Sequence, residues 1–302
     1  MSIPYFDCHC DTIVEASLAK VGLLRNEKHL DIERLRKFSP CAQVFAVCTG
    51  YKENAVGGAQ SFIDWFHHEI SANSDKISLC LNKSDIDSAV GQGKIAALLS
   101  IEGAEQIASL ERAYVGGVRI IHPTWNYDNA ICGAAAGSGS GLTEYGREFV
   151  RNAQEMGILL DMSHISERGF WDVLEQSNKP VIAGHSNSKA LCDVPRNLTD
   201  AQFTALVSCR GGAGINLYPE FLGFNRDTEA IVAHIEHFLS LGGEKSVFLG
   251  CDFDGIDVTP EGYSGVQDIE KLYEELLKRN YAEDLVRDIF YYNLNNIIGR
   301  AL

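Results

Sequence analysis

Short apolar runs recur along the chain with amphipathic stretches between them. The runs are IPYFDCH (3–9), QVFAVCTG (43–50), IAALLSIEG (95–103), GVRIIHP (117–123), ILLDMSH (158–164), PVIAGHS (180–186), GGAGINLYP (211–219) and SVFLGCDF (246–253). Each is too short for a buried helix and is bounded by turn-forming residues, so the pattern predicts eight strands. A ninth run, ISLCLN (77–82), reads as an edge or accessory strand. The stretches between, among them GGAQSFIDWFHHEIS, GREFVRNAQEMG, SERGFWDVLEQS, DAQFTALVSC and TEAIVAHIEHFLSLGG, repeat apolar residues every three or four positions and read as helices. The final AEDLVRDIFYYNLNNIIGRAL predicts one or two closing helices, and the chain has no internal repeat.

Strand alternating with helix implies a parallel sheet, which can stay open or close into a ring. The polar residues decide between these. His9 and Asp11 end the first strand, Glu102 the third, His122 the fourth, His164 the fifth, His185 the sixth, Tyr218 the seventh and Asp252 the eighth. An open sheet gathers its ligand groups at one switch point, whereas only a ring brings every strand end together. The expectation is therefore a (β/α)8 TIM-type barrel with an accessory strand and C-terminal helices, one domain over residues 1–302. CGAAAGSGSGL (132–142) reads as a loop over its mouth and not as a domain linker.

Composition narrows the function. A chain of 302 residues with 45% hydrophobic content can bury a large core, and a formal net charge of −15 leaves no cationic surface for nucleic acid. No run approaches the roughly 20 apolar residues of a membrane span, and the first residues lack the features of a signal peptide, so the expected location is the cytoplasm with no membrane partner. The nine cysteines include no CxxC pair. They read as reduced, mostly buried thiols, including Cys8, Cys10, Cys192 and Cys251 near the candidate site. GSGSGL and SCRGGAG lack the context of a phosphate loop, which removes nucleotide cofactors.

The segment FDCHCDT places Asp7, His9 and Asp11 two residues apart, on one face of an extended chain. With Glu102, His164 and His185, the histidine and aspartate supply imidazole nitrogen and carboxylate oxygen, the donors zinc favours; manganese, iron and cobalt accept them too. Five ligands exceed one open catalytic ion. Two Zn2+ ions fit better, His9 and Asp11 on one, His164 and His185 on the other, Glu102 bridging and a hydroxide between them. Asp161 and Asp7 read as partners that orient a ligand. His29, His67, His68, His234 and His237 lie in or near helical stretches and are expected at the surface.

These motifs, in this order, resemble the membrane dipeptidase family (renal dipeptidase, peptidase M19) of the amidohydrolase superfamily. The match rests on His9-Cys10-Asp11, SIEGAE, GVRIIHPTWNYDN, GLTEYGREFVRNAQEMGILLDMSHIS, PVIAGHSNSKALCDVPRNLTD, GINLYPEFL and GCDFDG, and covers nearly the whole chain. The resemblance implies a binuclear zinc centre on His9, Asp11, Glu102, His164 and His185. It also implies a substrate-contacting His122, an Arg196 that holds the substrate carboxylate, and an active-site Asp252, with Asp254 the alternative two residues on. Tyr218 is a further candidate for substrate contact. The implied activity is hydrolysis of small dipeptides, L,L and L,D. The alternatives are another barrel amidohydrolase activity, on lactones, amides or phosphoesters, and a metal-stabilised binding protein without turnover. A homodimer is the common assembly for a barrel of this size.

Overall fold

The structure is a computed structural model that describes residues 2–50, 55–223 and 225–302. Nine strands run through Tyr5–Asp7 (β1), Cys41–Val47 (β2), Ile77–Leu79 (β3), Ile95–Glu102 (β4), Val118–His122 (β5), Leu159–Leu160 (β6), Ile182–Ala183 (β7), Gly212–Ile215 (β8) and Val247–Leu249 (β9). All pairings between them are parallel, in the order β6-β5-β4-β2-β1-β9-β8-β7. A single parallel bridge between Asp161 and Ile182 joins the two ends. Eight strands thus make a nearly closed barrel of the (β/α)8 TIM type. The ninth, β3, lies outside the ring and pairs with the first half of β4 at Ile77 and Ile95.

β2 and β4 are buried at every position, because a parallel barrel covers both faces of its strands. The even-numbered Phe6, Ala42, Val44, Leu98, Ile120, Ile182 and Phe248 fill the barrel interior together with Leu159 of β6. Tyr5, Phe45, Leu99 and Leu249 face the helices instead. Those helices include Ala55–Ala72, Glu144–Glu155, Glu167–Gln176, Asp200–Ser208 and Thr228–Ser240. Each of the middle three begins where a hydroxyl accepts an otherwise unpaired backbone N–H. Thr143 accepts from Gly146, Ser166 from Gly169 and Thr199 from Gln202, the last as a reciprocal capping box.

The C-terminal segment is helical over Glu283–Arg287, widens to a π-helix over Asp288–Tyr292 and continues as Asn293–Ala301. Its Tyr291, Leu294, Ile297 and Ile298 join the interior cluster and plug the N-terminal end of the barrel. The other end stays open. The loop 132–142 lies there, bridged from Cys132 to Leu142 and from Ala134 to Ile165. Ala135 N donates to the His164 carbonyl at 2.7 Å. Among the described residues, no helix is long and apolar enough to cross a membrane.

Candidate metal centre

Seven strand ends deliver polar side chains to the open mouth. Glu102 and His122 are the last residues of β4 and β5, while His9, His164, His185, Tyr218 and Asp252 lie two to four residues beyond β1, β6, β7, β8 and β9. Glu102 Oε1 stands 2.8 Å from His164 Nε2, 3.3 Å from His185 Nε2 and 3.6 Å from His9 Nε2. Asp11 Oδ2 lies 3.2 Å from His9 Nε2, and the Nε2 atoms of His164 and His185 are 2.9 Å apart. Two triads that share Glu102, Glu102-His164-His185 and His9-Asp11-Glu102, and a third, His9-His122-His185, each hold their donor atoms within 4.8 Å of one another. All these residues are buried. Glu102 belongs to the first two triads, which is the geometry of a shared carboxylate.

Burial opposes charge on this cluster, and its members answer by charging one another. Burial disfavours a protonated His9, yet the Glu102 and Asp11 carboxylates outweigh it and hold the imidazole up at about 10. Burial alone would raise Glu102, but His164 and His9 pull it well below the ordinary glutamate range. Burial, reinforced by Arg196, takes His164 down to about 4, and burial with His9 takes His185 well below its ordinary value. Asp11 is pushed up to about 7 by burial despite its bond to His9. The neutral imidazoles of His164 and His185, with His9 and the crowded carboxylates aimed at common points, are the donor types of divalent ions with nitrogen and oxygen ligands, so the residues fit a metal once His9 gives up its proton.

Neighbouring groups hold these donors in place. Asn126 Oδ1 lies 2.8 Å from His164 Nδ1, which leaves Nε2 facing Glu102 and His185. His164 itself has a left-handed backbone, φ 72°. Asp161 Oδ1 accepts from Ser163 N at 2.9 Å and Gly184 N at 2.8 Å, the residues just before His164 and His185. Its Oδ2 lies 3.3 Å from His122 Nε2. Neither ring nitrogen of the buried His122 has a hydrogen-bond partner among the described residues. Asn126 and Asn216 went unnoticed in the sequence, because an asparagine in a loop is an ordinary turn residue.

Several expectations change. Asp7 does not share a face with His9. Its Oδ1 accepts from Cys251 N at 2.7 Å and its Oδ2 from Gln43 Nε2 at 3.1 Å and Tyr5 Oη at 3.2 Å, on the side facing the helices. Cys8 belongs to the interior cluster and His9 still turns into the mouth, so alternation breaks between them. His234 is fully buried, with Nδ1 accepting from Ser188 N at 3.1 Å and Nε2 3.3 Å from the Leu222 carbonyl. His29 is half-buried against Asp254, and His67 is half-buried against the Gly116 carbonyl at 2.8 Å. His68 is exposed, and His237 pairs with Asp200 at 2.8 Å.

Of the two aspartates after β9, Asp252 faces the donors, its Oδ1 3.9 Å from His9 Nε2. Asp254 is spent on the fold, accepting from Thr12 Oγ1 at 2.6 Å and His29 N at 2.7 Å. The mouth encloses a cavity of about 490 Å3 lined by Glu102, Trp125, Arg196, Tyr218, Phe221 and Asp252. Tyr218 packs edge-on to Phe221, centroids 5.0 Å apart. Arg196 lies half-buried with its guanidinium 5.5 Å from the Phe221 ring centroid and Nη1 3.5 Å from Ser186 Oγ. It has no ion pair among the described residues. The nine cysteines are free. Cys8, Cys10 and Cys251 are buried, Cys192 is partly exposed, and Cys48, absent from the sequence reading, also lines this cavity.

A parallel barrel with buried histidines and carboxylates at its mouth defines an amidohydrolase-type fold. The family model for membrane dipeptidase (Peptidase family M19) matches residues 1–301, and the chain belongs to that family, which makes it a hydrolase of the metallo-dipeptidase class. A Klebsiella pneumoniae protein, described as an uncharacterized protein in the pqqA 5′ region, is 32% identical over 241 residues, 74% of this chain and 89% of its own. A solved M19 metallopeptidase, dipeptidase AC, superposes with a TM-score of 0.91 at 26% identity over 100% of this chain and 99% of its own. A Rhodobacter sphaeroides metallopeptidase, bound to a phosphinate mimic of the dipeptide L-Ala-D-Ala, gives 0.90 at 25% identity over 100% of both chains.

Proposed function

We propose that this protein is a dipeptidase that uses two zinc ions, one held by His9 and Asp11, the other by His164 and His185, with Glu102 shared between them. The observation that carries the reading is the single Glu102 oxygen within 3.6 Å of three imidazole nitrogens, in a cavity lined by Arg196, which has no ion pair among the described residues. Bound there, the ions would supply Lewis acidity toward the peptide carbonyl and lower the pKa of a bound water. The chain supplies the rest. Arg196 grips the free C-terminal carboxylate of the substrate with its planar fork, which excludes longer peptides that would carry an amide there. His122, neutral because burial takes its pKa down to about 4, donates a hydrogen bond to the carbonyl oxygen as negative charge develops. Asp252 takes the proton of the attacking water on Oδ1 and returns it to the leaving amine. Tyr218 covers the substrate from the rim.

The phosphinate mimic of L-Ala-D-Ala in the Rhodobacter sphaeroides relative supports extending the substrates to L,D dipeptides. The test is amino-acid release from a panel of L,L and L,D dipeptides by zinc-loaded protein, beside Asp252→Asn. The reading predicts release by the wild type and a loss of roughly 10²-fold or more in the variant. Turnover confined to lactones, other amides or phosphoesters would overturn it.

A further inference from the structure

Beyond β8 stands a buried amide that neither the candidate ligands nor the substrate contacts account for. Asn216 is 0% exposed. Its Oδ1 accepts from Tyr218 N at 2.6 Å, and its Nδ2 donates to Asp252 Oδ2 at 2.9 Å and to the His185 carbonyl at 3.3 Å. The neighbours fix this orientation. Tyr218 N–H can only donate, while the His185 carbonyl and the Asp252 carboxylate only accept, so a flipped amide would set donor against donor and oxygen against oxygen. The backbone is clamped as well: Asn216 N donates to Asn187 Oδ1 at 2.9 Å and Asn187 Nδ2 returns a bond to the Asn216 carbonyl at 2.9 Å. One side chain therefore ties a ligand-bearing strand, a rim residue and Asp252 to a single position.

We propose that Asn216 is a positioning residue for Asp252, committing Oδ2 as a hydrogen-bond acceptor so that Oδ1 is the oxygen that carries the proton. The proposal rests on the reading of Asp252 as the proton carrier in dipeptide hydrolysis. A carboxylate has two equivalent oxygens and one soft terminal torsion, so without a fixed donor either oxygen could turn toward the reacting amine. Here the other side is bounded too, since a Cβ on Gly255 would meet Asp252 Oδ1 at 2.4 Å and Asp11 Oδ2 at 2.3 Å. With Gly255 packed against Oδ1 and Asn216 bonded to Oδ2, the carboxylate plane is set before substrate arrives.

The test is a double-mutant cycle between position 216 and Asp252→Asn, read in kcat and KM on a dipeptide, with zinc content measured for every variant. Asn216→Asp keeps the size and the acceptor for Tyr218 N–H but replaces the donor to Asp252 with an oxygen. Asn216→Ala removes the donor without adding charge and carries the cycle if the aspartate variant folds poorly. The proposal predicts unchanged zinc content, KM within about threefold of wild type and kcat lower by roughly 10²-fold in either variant, because a misplacement near 1 Å costs about that much. Combined with Asp252→Asn, either substitution lowers kcat by no more than about twofold further, since its effect runs through the carboxylate already lost. A crippled Asp252→Asn beside a 216 variant that keeps its turnover, loses zinc, or adds its full effect to the double variant would overturn the role of Asn216 alone. Undiminished turnover in Asp252→Asn would overturn the reading of Asp252 and the role of Asn216 with it.

Discussion

The proposed grip of Arg196 on the substrate carboxylate predicts that losing this residue separates dipeptide binding from the rest of the chemistry. Arg196→Met keeps an unbranched apolar stem and deletes the charged fork. Hydrogen bonds to charged groups contribute about 1.5–3 kcal/mol, so kcat/KM for a dipeptide should fall roughly ten- to 150-fold, while that for the corresponding dipeptide amide changes little; equal losses on both would remove the carboxylate contact. His234 carries a stability prediction. Burial, helped by nearby His237, takes its pKa down to about 4, against an unfolded value near 6.5. Its proton is therefore bound by the unfolded chain first, and stability, intact above pH ~6.5, falls as pH drops from there toward 4. Between pH 7 and 5 the wild type should lose about 2 kcal/mol more than His234→Gln in denaturant titrations; parallel curves would contradict this.

The same scale shows what a sequence hides. Asp252 and Asp254 would share a side if the chain were extended, but both have left-handed backbones, φ 63° and 66°, so they diverge, one to the donors and one to Thr12 and His29. The break at Cys8–His9 is equally silent. Residue types point to candidate donors, whereas the turns that aim them depend on tertiary contacts.

At the scale of elements, three glycines shape the barrel below the site. A Cβ on either Gly214 or Gly250 would come within 1.9 Å of the Gly184 carbonyl oxygen. Three neighbouring strands thus touch backbone to backbone under His185, Asn216 and Asp252. Gly250→Ala should cost at least 1–3 kcal/mol, the usual cost of overpacking, with a fall in activity because Asp252 lies two residues away; thermal denaturation and turnover check both, and an unchanged Tm would contradict the contact. The alternating elements themselves were legible, because short apolar runs ending in polar residues alternate with stretches that repeat apolar residues every three or four positions. The π-turn in the closing helix was not, since its apolar spacing reads as an ordinary helix until Tyr291 is seen against Phe6, ring centroids 5.6 Å apart.

For the whole molecule, the barrel is plugged below by its C-terminal helix and open above onto a buried group of carboxylates. Three of these, Asp11, Glu102 and Asp252, crowd one region of a chain with net charge −15. Each ion bound there would stabilise the fold by about 2.7 kcal/mol at a free concentration a hundredfold above its dissociation constant. Chelation should therefore lower Tm and readdition of zinc restore it, while Glu102→Gln should lose most of that response. Binding should also release protons, because His9 is held near 10 by its carboxylates and must be neutral to coordinate.

The most direct measurement follows zinc added stepwise to metal-free protein, with bound metal per chain and hydrolysis of L-Ala-D-Ala read on the same samples. The account predicts uptake of two ions per chain, little turnover without metal, and full turnover only as the second ion is taken up. Full activity with one ion or none, or two bound ions and no release of alanine, would contradict it.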